Sequence, residues 1–128
     1  MKTILIMGST FDEPHAKTIT DKRDEYNIPW EQHAASAHKQ PLKVLEILES
    51  NKDEKDIIYI TIAGRSNALS GFVAANSEFP TLGCPPFSDK SDMLVNIHST
   101  LQMPSQTPVL TVIDPGNCAL AVKRIFGV

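Results

Sequence analysis

Ser36-Ala37-His38-Lys39 places an imidazole beside an ammonium, with a hydroxyl two residues upstream. Imidazoles ordinarily titrate near pH ~6.5, which suits proton transfer at neutral pH, and an ammonium meets a phosphate as a point charge. Gly8-Ser9-Thr10-Phe11-Asp12 offers chemistry of a second kind. Gly8 lets the backbone approach a ligand, and Ser9 with the amides after it faces the positive end of a helix, a cradle for phosphate. Asp12 can cap that helix or accept hydrogen bonds from ribose hydroxyls. Ala63-Gly64-Arg65-Ser66-Asn67 is the third polar loop, again with a glycine for close approach and with Ser66 or Asn67 as a candidate helix cap. Each loop follows an apolar, strand-like run. Three such loops build one site at the carboxyl edge of an α/β sheet, and the pattern is that of an enzyme.

No metal is expected. His15, His33 and His98 lack the company that His38 has, and no two histidines share metal-ligand spacing on one helix face. Cys84 and Cys118 have no metal-ligand spacing either, and two cysteines do not make a disulfide framework. They read as reduced thiols, which places the chain in the cytoplasm. Met1–Met7 is too short for the apolar core of a signal peptide and runs into Gly8-Ser9 without a small-residue cleavage site. No stretch approaches the ~18–20 apolar residues of a membrane span. A net charge of −3 with scattered Lys and Arg provides no field for nucleic acid.

The elements that must position these loops alternate regularly. With 128 residues and 41% hydrophobic content, the chain reads as one domain, residues 1–128, with a core of its own. Residues 3–7 form a continuous apolar strand, followed by a helix from Glu13 to about Tyr26 with Asp12 as its cap and Pro14 in its first turn. Residues 28–32 alternate like a half-buried strand, and Pro29 puts it at a sheet edge. Pro41 opens a helix carrying Leu42, Val44, Leu45, Ile47 and Leu48. Residues 56–62 make the strongest strand, central and parallel. A helix over residues 67–76 carries Leu69, Phe72 and Val73, and residues 81–84 form a short strand stopped by Pro85-Pro86. A helix over residues 92–101 with Leu94, Ile97 and Leu101 at helical spacing, a strand over 109–113 and a helix over 117–126 closed by Gly127 complete the pattern. Five βα units predict a three-layer α/β sandwich with a five-stranded parallel sheet in the order 2-1-3-4-5.

Taken together, Met7-Gly8-Ser9 with Asp12, Ser36-Ala37-His38-Lys39, Ala63-Gly64 through Gly71, Cys84-Pro85-Pro86, Leu101-Gln102-Met103-Pro104-Ser105 and Ile125-Phe126-Gly127 resemble the aminoimidazole ribonucleotide carboxylase (PurE) family of purine biosynthesis. The resemblance covers essentially the whole chain. It implies a flavodoxin-like subunit in a homo-octamer whose active sites are shared between subunits. It also implies a branch. Mutases acting on N-carboxyaminoimidazole ribonucleotide typically read Ser-Ala-His-Arg and carry a second histidine in the third loop. The branch that uses carbon dioxide directly reads Ser-Ala-His-Lys and Ala-Gly-Arg-Ser-Asn, and this chain has Lys39, Arg65-Ser66-Asn67 and Ala68 at those positions.

By that resemblance the ring carbon of aminoimidazole ribonucleotide attacks carbon dioxide, and His38 takes the proton that restores aromaticity. Ser9, Ser36 and Lys39 hold the phosphate and Asp12 the ribose, with Gly8 and Ala37 in the same loops. Gly64, Arg65, Ser66 and Asn67 line the carbon dioxide pocket through their backbone. The scheme needs no cofactor, and the partners are these small molecules and other copies of the chain. The departures are Phe11, where the family usually has Ser, an unusual Asp114-Pro115-Gly116 loop, and an end at Val128 where many relatives continue into another helix. Two other readings stay open: the mutase reaction on the same scaffold, and a non-catalytic nucleotide-binding module.

Overall fold

The computed structural model describes residues 1–128, every side chain but that of Arg23. In chain order the elements are β1 (Lys2–Met7), α1 (Glu13–Thr20), α2 (Arg23–Tyr26), β2 (Trp30–Ala34), α3 (Pro41–Asn51), β3 (Ile57–Ile62), α4 (Leu69–Asn76), β4 (Thr81–Gly83), α5 (Lys90–Asn96), α6 (His98–Leu101), β5 (Leu110–Thr111) and α7 (Pro115–Phe126). A short 3₁₀ turn, Thr10–Asp12, leads into α1. The sheet is parallel throughout with the order β2-β1-β3-β4-β5, as the sequence predicts.

Successive side chains of a strand point to opposite faces, so β1 and β3 feed two cores. Leu5, Met7, Ile58, Ile60 and Ile62 pack with Ala16 and Ile19 of α1 and Cys118, Ala119 and Val122 of α7. Ile4, Ile6, Ile57 and Tyr59 pack on the other side with Val44, Ile47 and Leu48 of α3 and Leu69 and Val73 of α4. Strands covered on both faces must be apolar along their whole length, which is why these two read so clearly.

Element boundaries differ from expectation for local reasons. The helix expected over residues 13–26 is broken at Asp21-Lys22. Thr18 and Thr20 direct their hydroxyls back to the His15 and Lys17 carbonyls, at 2.6 and 3.4 Å, and the last turn tightens as the Lys22 amide bonds to the Ile19 carbonyl. β2 starts two residues late, because Pro29 contributes only its carbonyl, to the Thr3 amide, and the ladder begins by pairing Trp30 with Thr3. The helix expected over 92–101 begins at Lys90, where the Asp89 carboxylate caps the Asp92 amide at 2.8 Å, and it divides at Ile97. β5 is two residues rather than five, since β4, stopped by Pro85, offers no longer ladder. α7 begins two residues early on an Asp114 cap and ends at Gly127 with φ 74°. Among the described residues no helix is long and apolar enough to cross a membrane.

Candidate active site

A parallel sheet sends every strand's carboxyl end to one edge, so the loops after β1, β2, β3 and β4 converge there. The last rungs of the ladder fix where the loops begin: the Gly8 amide donates to the Ile62 carbonyl at 2.9 Å and the Ala35 amide to the Met7 carbonyl at 2.8 Å. From the second loop, His38 reaches the third, with Nε2 3.1 Å from the Ser66 carbonyl. A carbonyl only accepts, so Nε2 carries the proton and the neutral ring keeps its lone pair on Nδ1. The ring is exposed. The bond therefore orients His38 and leaves a base free to act.

Ser9 and Ser36 share one geometry. The Ser9 hydroxyl oxygen accepts the Phe11 amide, and the Ser36 oxygen accepts the Lys39 amide, each at 3.1 Å. Each oxygen is occupied as an acceptor, and its own proton remains to donate to an anion. Lys39, whose amide the Ser36 oxygen holds, is exposed. Asp12 does not cap α1: its side chain makes no cap hydrogen bond, because Ser9 has already turned the chain through the 3₁₀ step. The carboxyl instead lines a cleft, where burial raises its pKa and the nearby His15 charge pulls it back.

In the third loop the residues separate by role. A Cβ on Gly64 would lie 3.0 Å from the Pro86 carbonyl, so glycine lets this loop seat against the turn after β4. Arg65 and Ser66 are exposed, and the peptide joining them is cis. Asn67 is buried, and its side chain faces inward. Its Nδ2 donates to the Ser70 and Thr100 hydroxyls, both at 2.8 Å, and its Oδ1 accepts the Ser70 amide at 3.1 Å. The Thr61 and Ser70 hydroxyls meet at 2.7 Å, and the Ser99 hydroxyl accepts the Asn67 amide at 2.9 Å. This buried knot anchors the loop to β3 and α6. The Asn67 side chain and amide are both committed to the knot, so neither is left for a ligand.

The cleft beside Asp12, about 1690 Å³, runs between residues 10–17 and 86–96 and also touches Gly64 and Arg65. Ser36, His38 and Lys39 do not line it. His15 does, and sequence reasoning passed over it. Its Nε2 lies 3.0 Å from the Cys84 carbonyl and 3.6 Å from the Cys84 sulfur. Burial alone would lower its pKa, but the Cys84 groups and the Asp12 carboxyl outweigh burial and raise it. Beneath, Cys118 donates its thiol hydrogen bond to Cys84, which lowers the Cys84 pKa and raises its own. A signal was present in the one-turn spacing of Asp12 and His15 on a helix that opens at a candidate ligand loop. Among the described residues no group of three or more His, Cys, Asp or Glu side chains is placed to hold a metal.

Comparison with known proteins places this arrangement. The model of the family described as AIR carboxylase matches residues 2–128. A phosphoribosylaminoimidazole carboxylase of Archaeoglobus fulgidus is 45% identical over 126 residues, spanning 98% of this chain and 69% of the relative. One from Treponema denticola is 41% identical over 124 residues, spanning 96% of this chain and 77% of the relative. A human bifunctional phosphoribosylaminoimidazole carboxylase/phosphoribosylaminoimidazole succinocarboxamide synthetase is 32% identical over 127 residues, 98% of this chain but 30% of that protein. The crystal structure of Treponema denticola PurE superposes with a TM-score of 0.93 at 40% identity, covering 98% of this chain and 80% of that one. The sheet order is that of a flavodoxin-like fold, and the loops at its carboxyl edge are those the sequence motifs picked out. The chain belongs to the AIR carboxylase family.

Proposed function

We propose that the protein is a cytoplasmic 5-aminoimidazole ribonucleotide carboxylase of purine biosynthesis, adding carbon dioxide directly to the imidazole carbon to give carboxyaminoimidazole ribonucleotide, reversibly. The observation that carries the direct route is that one imidazole, His38, meets the third loop, while position 68 holds alanine and its amide bonds to the Ser66 carbonyl at 2.9 Å. A mutase moving a carboxylate from nitrogen to carbon handles protons at both atoms. Here one base stands at the loop, enough for the single proton lost from the ring carbon.

In the forward direction the ring carbon's electron pair forms a bond to carbon dioxide, and the ring becomes cationic. Nδ1 of His38 removes the ring proton, the C–H electrons restore aromaticity, and the imidazolium discharges to solvent. Ser9 and Ser36 donate hydroxyl hydrogen bonds to the phosphate, Lys39 supplies the counter-charge, and Asp12 accepts from the ribose hydroxyls. Backbone groups of Gly64, Arg65, Ser66 and Asn67 line the pocket for carbon dioxide, and orientation does most of the work because so small a substrate offers little binding energy. The test supplies isotopically labelled bicarbonate with carbonic anhydrase alongside unlabelled N-carboxyaminoimidazole ribonucleotide. Label in the product is the expected result. Unlabelled product formed at an enzyme-dependent rate would assign the mutase reaction instead.

The site as built on one chain is open. His38 is solvent-exposed, and Phe11 and Val95, 88% and 71% exposed, stand at the cleft with Leu94 and Leu101 also uncovered. Exposed apolar groups gathered on one region of a soluble protein mark an interface, and closing a site against water strengthens its electrostatics. These features support a symmetric homo-oligomer, an octamer in keeping with the family resemblance, in which neighbouring copies complete each site. Light scattering at micromolar concentration is expected to give the octamer mass. A monomeric mass with full activity would remove the shared site.

A further inference from the structure

His15 has no part in the mechanism above, yet it joins two walls of the cleft. It sits in the first turn of α1, one turn after Asp12, and its Nε2 lies 3.0 Å from the carbonyl of Cys84, the residue that leads β4 into Pro85-Pro86. That carbonyl can only accept, so Nε2 donates. Cys84 itself does not move freely, because its amide is bonded to the Thr61 carbonyl at 2.9 Å in the sheet and its side chain is buried. On the same turn the Pro86 carbonyl is packed against Gly64, where a Cβ would come within 3.0 Å. The turn after β4 is thus a fixed rail, held by β3 on one side and the third loop on another. The Asp12 turn is held from below, by the Gly8 amide on the Ile62 carbonyl and by Ala16 and Ile19 in the core, but the Asp12 carboxyl makes no cap bond that would tie it across the cleft. His15 is the side chain that bonds this turn to the rail.

We propose that His15 is a positioning residue for the ribonucleotide: by donating Nε2–H to the Cys84 carbonyl it fixes the distance between Asp12 and the cleft wall at Pro86 and Phe87, and so sets the pocket in which Asp12 meets the ribose. The identity of the ligand rests on the carboxylase reading. The bond across the cleft does not.

The experiment uses the full chain with carboxyaminoimidazole ribonucleotide as the probe, its Kd measured by calorimetry and its decarboxylation by loss of absorbance. His15→Ala is expected to raise Kd and KM together by roughly tenfold, the scale of one hydrogen bond, with kcat within about twofold of the original. His15→Gln, whose amide nitrogen reaches the same carbonyl, is expected to recover most of that loss. Thermal melts accompany each variant. Should His15→Ala fail to fold, His15→Asn, too short to reach Cys84, takes its place. Unchanged Kd and KM in the folded short variant would overturn the proposal. So would a fall in kcat at constant Kd, which would place His15 at the reacting atoms, or a Gln variant no better than Ala. If the unmodified protein binds the nucleotide without decarboxylating it, the carboxylase reading falls, and the Kd values of the variants still decide the role of His15. If it does not bind the nucleotide, both fall.

Discussion

His38→Asn is expected to lower kcat for carboxyaminoimidazole ribonucleotide decarboxylation by at least ~100-fold, the scale on which a positioned general base acts, while Kd for the nucleotide changes by no more than a few-fold. The side chain is exposed and its one hydrogen bond is to the Ser66 carbonyl, so removing it disturbs no core. His38→Gln sharpens the test. Glutamine can keep a donor on the Ser66 carbonyl but has no basic nitrogen where Nδ1 stood. If His38 acts as a base, Gln is as inactive as Asn. If it only holds the third loop in place, Gln restores activity. More than about a tenth of the original kcat in His38→Asn would remove His38 from proton transfer.

The largest expected effect on stability is at Asn67. Truncation to alanine takes away three side-chain hydrogen bonds at once and leaves the Thr100 hydroxyl and Ser70 amide buried without them. At roughly 1–3 kcal/mol for each buried polar group left unsatisfied, Asn67→Ala should cost about 2–4 kcal/mol, a fall of roughly 10 °C in Tm. Thr100→Val removes the partner hydroxyl, so the double variant should be less destabilised than the sum of the singles by about 1 kcal/mol. Denaturant titration of the four proteins measures this. A single variant within ~0.5 kcal/mol of the original, or strict additivity, would show that the knot does not hold the loop.

These two residues mark where sequence reading reaches and where it stops. The sheet order was legible because β1 and β3 are apolar on both faces, which only a covered parallel sheet tolerates. The loops of the candidate site could be picked out because they follow those strands directly, and His38 became a candidate through its neighbours Ser36 and Lys39. Asn67 was visible as a polar residue in the right loop, but its inward orientation depends on Thr100, 33 residues further on. His15 was passed over because its partner Cys84 lies 69 residues away and the bond uses a backbone carbonyl, which leaves no trace in residue type. Asp12 looked like a cap because nothing local reveals that Ser9 makes the turn first.

The shortness of β5 has a consequence for how copies of this chain can meet. A sheet edge exposes a row of unpaired amides and carbonyls, on which a strand from another molecule can add and then present the same row again. Leu110–Thr111 gives only two residues of such a row, too few to seat a strand. The opposite edge, β2, starts after Pro29, and its last carbonyl, that of Ala34, already accepts the Lys43 ammonium at 2.7 Å. Both rims therefore offer only a short row. In the proposed oligomer, contacts therefore fall to helix and loop faces, whose rotation symmetry can close into a particle of fixed size rather than propagate as a fibre.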